Sequence, residues 1–227
     1  MYVFTDFGTS AKVIDKILLL YPKDKLHIIN AESCLAYHQN LPDLVSFAKQ
    51  NPMGLKLAAI LQIADLGKPL LCSDTDVLWL NSPLQSIEQM LSDNVEIHMS
   101  YDLGPSYDFN LMQKAQLDAI STQPYYCAGI MFIKSISKSH RTMIDNLLQI
   151  LKKESGHMSE QTVFAYLQKQ AGASLMLPEQ YFLGYADQFS LKPVFDQQCI
   201  ARHYVGAVRH LFWRDAFAQK MWQFNIN

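Results

Sequence analysis

Short apolar runs alternate with stretches of helical periodicity along the first part of the chain. Residues 2–5 form a β-prone run, residues 11–20 place apolar side chains on one helical face, and Pro22 ends that helix. Residues 26–29 predict a second strand. A strand, a helix and a strand in succession form a βαβ pattern, which favours a parallel sheet.

The next part of the pattern leads into a pair of acidic residues. A longer helix is predicted after Pro52, with apolar residues at helical spacing and Gly67 as its C-terminal stop. The short apolar run at residues 70–72 suits a buried central strand and ends at Ser73, before Asp74-Thr75-Asp76. Apolar residues then resume, so the acidic pair is bracketed by sequence typical of a core.

The rest of the chain predicts more alternation of strands and helices, with a polar and irregular segment over residues 104–123 that is a surface loop or a short helix. Strands are predicted at residues 95–101, 126–134, 174–177 and 202–205, and helices at residues 137–153, 160–170 and 213–222. No internal repeat is present. The pattern predicts one α/β domain over residues 1–227, with its C-terminal part folded back over the site.

Composition and charge narrow the classes of protein. Of the 227 residues, 49% are hydrophobic and 18% are charged, which suits a compact chain and argues against global disorder. The net charge is -2, and lysines and arginines are scattered, so we expect no nucleic-acid partner. No apolar run approaches the roughly 20 residues of a membrane span, so no transmembrane segment is predicted.

Cysteine usage and the first residues of the chain favour a cytoplasmic location. None of the four cysteines forms a C-x-x-C pair, so a zinc site or a disulfide framework has no support from the sequence. The chain enters a strand pattern at once and shows no signal peptide. We therefore expect reduced, mostly buried thiols.

Asp74 and Asp76 carry the strongest chemical signal in the sequence. In open α/β sheets, ligands gather outside the carboxyl ends of the strands, and two carboxylates there are hard oxygen ligands for Mg²⁺ or Mn²⁺. Without a cation they would repel each other and lose solvation. The alternative is a plain acidic turn at the end of a strand.

Residues 67–79 resemble the D-x-D region of GT-A-fold glycosyltransferases. The resemblance is strongest to the retaining group that includes glycogenin, bacterial lipopolysaccharide galactosyltransferases and related plant arabinosyl- and xylosyltransferases. It implies a single GT-A, Rossmann-like nucleotide-diphospho-sugar transferase domain with a mixed, mostly parallel central sheet. It also implies that Asp74 and Asp76 bind Mn²⁺ or Mg²⁺, and that Asp74 approaches the donor ribose.

A second segment, starting at His203, resembles the H-x-x-G-x-x-K motif of the same family. Gly206 stands at the glycine, Arg209 replaces the lysine, and Trp213 lies two residues later than the family's tryptophan. The resemblance implies that His203 is the third protein ligand of the metal and that Arg209 holds the diphosphate, while Gly206 lets the backbone approach a phosphate. The alternatives are a buried histidine and a surface cation.

Two further segments resemble sugar-binding parts of the family. Ala128 and Gly129 lie where the family strand passes the donor sugar, but Cys127 replaces its asparagine, which puts that residue's sugar contact in doubt. Glu160 and Gln161 resemble the family's D-Q or E-Q pair near the reacting sugar, and they are our catalytic candidates. A local alternative is that this segment only caps a helix.

Residues near the N-terminus complete the predicted donor site. Thr5 and Asp6 follow the first strand, where GT-A proteins receive the nucleotide base, so the resemblance implies contacts to the base or ribose. Lys56 lies in the helix before the D-x-D strand, where related enzymes carry a basic donor contact. A solvated lysine is the alternative.

The resemblance implies metal-dependent transfer of a sugar from a uridine-linked diphosphate donor to a hydroxyl acceptor, with retention at the anomeric carbon. The sequence does not identify the acceptor, and a glycan, a lipid-linked glycan and a protein all stay open. One rival is a phosphohydrolase of the haloacid-dehalogenase type, which D-T-D-V at Asp74 partly fits. That motif normally lies near the start of a chain, and Asp187 is a poor substitute for the later acidic pair. The other rival is a non-catalytic GT-A module that binds nucleotide-sugars.

Overall fold

The structure is a computed structural model that describes residues 1–20, 22–151, 156–172, 174–192 and 197–224. These residues form two compact units. The first unit comprises Met1–Lys68, Tyr107–Gln116 and Ile136–Val163, and the second comprises Pro69–Ser106, Leu117–Ser135 and Phe164–Asn227. The organisation of residues 1–227 as one domain stays a prediction.

The helices lie in the following order along the described residues. They are α1 (Ala11–Leu20), α2 (Ala31–Tyr37), α3 (Pro42–Gln50), α4 (Pro52–Ala64), α5 (Leu84–Ser92), α6 (Phe109–Ala115), α7 (Lys138–Leu151), α8 (Ser159–Gln170) and α9 (Phe212–Phe224). Short 3₁₀ turns cover Lys23–Lys25, Asp118–Ile120 and Gly206–Leu211.

Most of the strands in the described residues are four residues long or shorter. They are β1 (Tyr2–Thr5), β2 (His27–Asn30), β3 (Leu70–Ser73), β4 (Val77–Trp79), β5 (Ile97–Asp102), β6 (Tyr125–Ile133), β7 (Ser174–Leu175), β8 (Tyr181–Phe182) and β9 (Ala201–His203).

The first unit combines a parallel pair of strands, β1 and β2, with several helices. Asn30 and Asn51 begin α2 and α4 by accepting backbone N–H groups on their side-chain oxygens, which satisfies donors that a helix start leaves unpaired. Gly54 lets α4 approach α3 closely, because a β-carbon there would lie 2.8 Å from the Phe47 ring. Core side chains such as Phe47, Leu57 and Leu61 are almost fully buried at this contact.

The second unit contains two sheets. One has the strand order β3-β6-β5-β7, and the other has the order β4-β9-β8. Buried side chains in or next to the two sheets pack together with one from α5 in a core cluster. Its members are Val77, Met90, Ile130, Phe132, Met176, Tyr181, Ile200 and Ala201. The long strand β6 is buried along nearly its whole length, as its apolar sequence predicts.

The α/β class with a mixed sheet is confirmed, but the expectation of a mostly parallel sheet is corrected. In the four-stranded sheet, β6 runs antiparallel to both β3 and β5, and β7 alone adds a parallel pairing. β4 and β9 are also antiparallel, whereas β8 and β9 are parallel. The βαβ pattern at the N-terminus does form a parallel pair, but that pair is β1 with β2.

Most predicted elements are found within a few residues of their expected bounds. The helix predicted over residues 137–153 is α7, which ends at Leu151, and residues 152–153 lie outside the described part of the chain. The irregular connection at 104–123 contains α6. Helices α2, α3 and α5 and the short strands β4 and β8 have no counterpart in the sequence prediction, because no helical or strand pattern was identified there.

Among the described residues, no helix has both the length and the apolar character needed to cross a membrane. The cytoplasmic location stays a prediction.

Candidate active site

The D-x-D triplet connects β3 to β4, and its backbone is held from two sides. The N–H of Asp74 donates to the carbonyl of Gly129 in β6, at 2.8 Å. The carbonyl of Asp76 accepts the N–H of Tyr204, at 2.9 Å. Because Val77 pairs with His203 in the antiparallel ladder of β4 and β9, Asp76 lies beside that histidine.

The side chains of Asp74, Asp76 and His203 form a cluster whose ligand atoms all lie within 4.8 Å of one another. Nε2 of His203 is 3.2 Å from Oδ1 of Asp76 and 3.9 Å from Oδ2 of Asp74. Neighbouring ligands of Mg²⁺, at about 2.1 Å from the ion, lie roughly 3 Å apart, and Mn²⁺ is similar. Two carboxylates and an imidazole therefore suit such an ion in chemistry, and the pair at 3.2 Å already has its ligand spacing, while the Asp74 contact at 3.9 Å is wider.

Gly129 allows the imidazole of His203 to lie directly against β6. A β-carbon at position 129 would lie 2.0 Å from Cε1 and 2.3 Å from Nδ1 of His203, far inside van der Waals contact. The sequence prediction placed a donor sugar against Ala128 and Gly129. The structure shows that the histidine ring occupies the space beside Gly129, and the sugar contact stays a prediction.

Cys127 contacts the other edge of the same imidazole. Its sulfur lies 3.4 Å from Nδ1 of His203 and also accepts the N–H of Gly129 at 3.4 Å. The sequence showed Cys127 only as a substitute for the family's asparagine. Because its partner His203 lies 76 residues further along the chain, no local sequence pattern predicts this contact.

Electrostatics favour a positive His203 beside a negative Asp76. Burial disfavours the charged imidazole, but the hydrogen bonds to Asp76 and Cys127 outweigh it and raise the pKa of His203 to about 10. Burial works against the charge of Asp76 too, yet His203 and Arg209 together lower the pKa of that carboxyl. A metal held through Nε2 would therefore have to displace a proton from His203.

Arg209 is paired with the same aspartate. Its Nε and Nη2 lie 3.1 Å and 2.9 Å from Oδ2 of Asp76, while the side chain is 68% exposed. Arg209 is carried by the 3₁₀ turn Gly206–Leu211, which starts at Gly206 with φ of 51°. A β-carbon at Gly206 would meet only the Tyr185 hydroxyl, at 3.9 Å, so within the protein this glycine serves the backbone angle and not a close contact with a neighbouring segment.

A buried network of charges flanks His203 in β9. Arg202 donates twice to Asp187, at 2.7 Å each, and once to Asp215 at 2.9 Å. The Tyr204 hydroxyl donates to Asp215 at 2.8 Å, and Arg214 contacts both aspartates. Asp187 is therefore fully committed to arginines, which removes it as the later acidic residue of a phosphohydrolase.

In the first unit, Lys56 and Glu160 lie together. Their Nζ and Oε1 atoms are 3.3 Å apart, and both side chains are largely buried, so Lys56 is not a solvated lysine. Glu160 and Gln161 stand in the buried first turn of α8. The structure thus joins two predicted site residues that are far apart in sequence.

Asp108 anchors the start of α8 and escaped the sequence analysis. It accepts the hydroxyl of Ser159 and, at 2.9 Å, the N–H of Gly156, and it also caps α6. Thr162 returns a hydrogen bond by accepting the N–H of Asp108 at 2.7 Å. This network fixes the turn that carries Glu160.

Thr5 and Asp6 stand at the end of β1 in the first unit. Thr5 is buried, and Asp6 is exposed with its carboxylate accepting from the Gly8 N–H at 3.0 Å and the Thr9 hydroxyl at 2.7 Å. Asp6 therefore shapes the turn after β1, and its contact with a nucleotide stays a prediction.

Comparison with known families identifies the chain. The profile of the nucleotide-diphospho-sugar transferases matches residues 45–208, which is well over half of the 227 residues. The chain belongs to this family. This membership confirms the predicted enzyme class, glycosyltransferase. It argues against the phosphohydrolase alternative. No curated protein matches the chain in sequence.

Solved structures show the same fold as this family member. Mouse xyloside xylosyltransferase 1, in its apo form, matches with a TM-score of 0.52 and 12% identity over 89% of this chain and 82% of its own. The galactosyltransferase LgtC, in complex with donor and acceptor sugar analogues, matches with a TM-score of 0.56 and 15% identity over 88% and 74%. At these identities the likeness shows the GT-A fold.

Proposed function

We propose that the chain transfers a sugar from a UDP-sugar to a hydroxyl acceptor in a reaction that depends on Mn²⁺ or Mg²⁺ and retains the anomeric configuration. The observation that carries the proposal is the cluster of Asp74, Asp76 and His203, with Arg209 beside it. Family membership supports the nucleotide-sugar donor. The galactosyl- and xylosyltransferase neighbours support a hexose or a pentose as the transferred group.

Asp74, Asp76 and His203 would hold the metal, and Asp74 would also approach the donor ribose. When bound, the ion supplies positive charge to the diphosphate that leaves the sugar. The residues themselves are suited to this task because their ligand atoms already converge, so little rearrangement is needed to form the site.

Arg209 would hold the β-phosphate of the donor. In the structure its guanidinium pairs with Asp76 through one carboxylate oxygen, and the rest of the side chain is exposed. A cation bound at Asp76 would weaken that pairing, and the freed guanidinium is suited to bidentate contact with a phosphate. The backbone around Gly206 would approach the same group.

The remaining candidates are assigned to the donor and the reacting sugar. Glu160 and Gln161 would contact the sugar, with Lys56 fixing the Glu160 carboxylate through the ion pair described above. Ala128 and Gly129 would lie against the sugar, and Thr5 and Asp6 would contact the base or ribose. A glycan, a lipid-linked glycan or a protein would supply the acceptor hydroxyl.

The test is hydrolysis of a panel of nucleotide-sugars with and without Mn²⁺. Asp76→Asn should lose most metal-dependent turnover, because it removes a charged ligand and the partner of both His203 and Arg209. Asp118→Asn removes one charge from an exposed turn and should behave like the wild type. Equal metal-dependent turnover in the wild type and Asp76→Asn would refute the site.

A separate outcome identifies the non-catalytic alternative. Metal-dependent binding of a nucleotide-sugar in calorimetry, with no hydrolysis or transfer across the panel, would make this family member a binding module. For an active donor, NMR of the sugar anomer released at early times reports the stereochemistry. Release of the inverted anomer would contradict the proposed retention.

A further inference from the structure

The imidazole of His203 is held at both of its nitrogen atoms by different kinds of partner. Nε2 faces the carboxylates, 3.2 Å from Asp76 and 3.9 Å from Asp74. Nδ1 faces the sulfur of Cys127, at 3.4 Å, which is within the range of hydrogen bonds to sulfur. His203 and Cys127 are both buried.

The sulfur is placed to orient the ring and not to bind the metal. The ligand atoms that converge are those of Asp74, Asp76 and His203, and among the residues described the cluster does not extend to Cys127. The thiol therefore lies at the edge of the imidazole opposite the carboxylates. In metal sites, a partner at this second nitrogen fixes which way a histidine points.

The position of the proton on the His203 ring decides whether the imidazole or the Cys127 thiol donates the hydrogen bond between them. An imidazole that coordinates through Nε2 must carry its proton on Nδ1, because coordination uses the Nε2 lone pair. A buried Nδ1–H needs an acceptor, and the Cys127 sulfur lies within its reach. A thiol that donated to Nδ1 would instead leave the ring proton on Nε2, where it would block coordination.

The strand β6 keeps the sulfur in place. The N–H of Gly129 donates to it at 3.4 Å, and the carbonyl of Cys127 accepts the Ser100 hydroxyl at 3.2 Å. Because position 129 has no side chain, the imidazole settles against the strand close to the thiol. The orienting contact is thus built into the central strand of the sheet.

We propose that Cys127 is a positioning residue for the metal site: its sulfur accepts the Nδ1–H of His203 and so directs Nε2 toward Asp74 and Asp76. The proposal rests on the metal site of the proposed function. It gives Cys127 a role different from the sugar contact that the resemblance implies for the asparagine at this position in the family. Cys127 acts through His203 and needs no contact with substrate.

The first test measures Mn²⁺ affinity from the EPR signal of the free ion. Cys127→Val replaces the acceptor with an apolar side chain one heavy atom larger, and it should weaken binding about 10- to 100-fold, as loss of such a supporting contact does elsewhere. Cys127→Ser retains an acceptor and should recover most of the affinity. Cys34→Ala, which removes a buried thiol in the first unit, should bind like the wild type.

The second test needs no metal. In protein labelled with ¹⁵N-histidine, the Nδ1–H proton of His203 should be protected from exchange in the wild type and Cys127→Ser, and should lose protection in Cys127→Val. Cys127→Ala replaces the valine variant if that variant does not fold. Unchanged protection and Mn²⁺ affinity in the apolar variants would overturn the proposal, as would a serine variant as weak as the valine one.

The two tests separate this proposal from the proposed function. A wild type that binds no Mn²⁺ would refute the metal site, and the exchange measurement would then decide the role of Cys127 alone. Asp76→Asn provides the converse control. If that variant loses Mn²⁺ while Cys127→Val keeps it, the metal site stands and the positioning role of Cys127 falls.

Discussion

At the scale of single residues, the site is organised around the ring of His203. Four neighbours define its position: Asp74 and Asp76 face Nε2, Cys127 faces Nδ1, and Gly129 makes room for the ring. Two of these, Asp74 and Asp76, come from a motif visible in the sequence. The other two depend on a strand far away in the chain, and their relation to His203 becomes visible once the strands are paired.

Gly129→Ala should damage the site without a change in its chemistry. The added methyl would overlap the His203 ring at 2.0 Å, so the ring must leave the strand and Nε2 must leave the carboxylates. We expect Mn²⁺ affinity to fall by at least about tenfold, as for other disturbed metal ligands. Calorimetric titration of Mn²⁺ measures it.

The matched control for that substitution is Gly104→Ala, since a β-carbon at position 104 meets nothing within 4 Å. Wild-type affinity in Gly129→Ala would mean that His203 can bind the ion from another position. It would also remove the steric argument for glycine at this point of β6.

At the scale of elements, β9 is held by hydrogen bonds on both sides of His203. Arg202 and Tyr204 flank His203, and both join the buried network of Asp187 and Asp215. Because Asp215 belongs to α9, the network ties that helix to β9. The network contains two arginines and two aspartates, so its positive and negative charges cancel.

Asp187→Asn should destabilise the protein strongly. The substitution leaves Arg202 buried beside one full negative charge where it had two, and removing one partner of a buried ion pair costs about 3–5 kcal/mol. Urea denaturation should show this loss in the free energy of unfolding. Asp118→Asn, on an exposed turn, should stay within about 0.5 kcal/mol of the wild type.

A loss below about 1 kcal/mol in Asp187→Asn would contradict this account, since it would show that the amide replaces the carboxylate beside two arginines at little cost. In that case the network would add little to the stability of β9.

The sequence predicts elements better than it predicts their directions. The apolar runs at β3, β5 and β6 and the helical patterns of α1, α4 and α7 are local signals, and each element is found near its predicted place. The antiparallel course of β6 between β3 and β5 depends on pairings across long connections. The βαβ pattern at the start of the chain correctly predicts the parallel pair β1 and β2, but it carries no information on the directions of the strands in the four-stranded sheet.

Helices α2, α3 and α5 escaped prediction for a related reason. Each is short, and α2 and α3 follow one another closely, so the apolar spacing covers too few turns to stand out. Their start signals were present, since Asn30 caps α2 and Pro42 opens α3. Capping residues identify a helix start only when a periodic stretch follows them.

At the scale of the whole molecule, the family match and the compact units divide the chain differently. The match to the nucleotide-diphospho-sugar transferases covers residues 45–208 and therefore includes parts of both units. The cluster of Asp74, Asp76 and His203 lies within that stretch. Thr5 and Asp6 lie before it, so their assignment to the nucleotide rests on the fold and the position of β1 alone.

The stability of the metal-free protein should fall as the pH rises from neutral to about 10. The pKa of His203 is raised to about 10, above its unfolded value of about 6.5, so its contribution is complete below pH 6.5 and lost as the pH passes the folded pKa. Urea midpoints in chelator-treated buffer measure this dependence.

His203→Gln is the matched variant for that measurement, because glutamine is polar but does not titrate. Its urea midpoint should change less between pH 7 and 10 than that of the wild type. Identical slopes in the two proteins would show that His203 is not charged beside Asp76. The lowered pKa of Asp76 affects stability on the acidic side. The stabilisation that the Asp76 carboxylate provides is lost as the pH falls through its lowered pKa.

The contact between Gly129 and His203 also constrains how this protein can evolve. The two positions cannot accept changes independently, because any side chain at 129 takes the space of the imidazole at 203. In related sequences, a larger residue at the first position should therefore coincide with a smaller residue at the second. Lineages that made this paired exchange would have given up the imidazole, and on the proposed function we expect their enzymes to bind Mn²⁺ more weakly than this one.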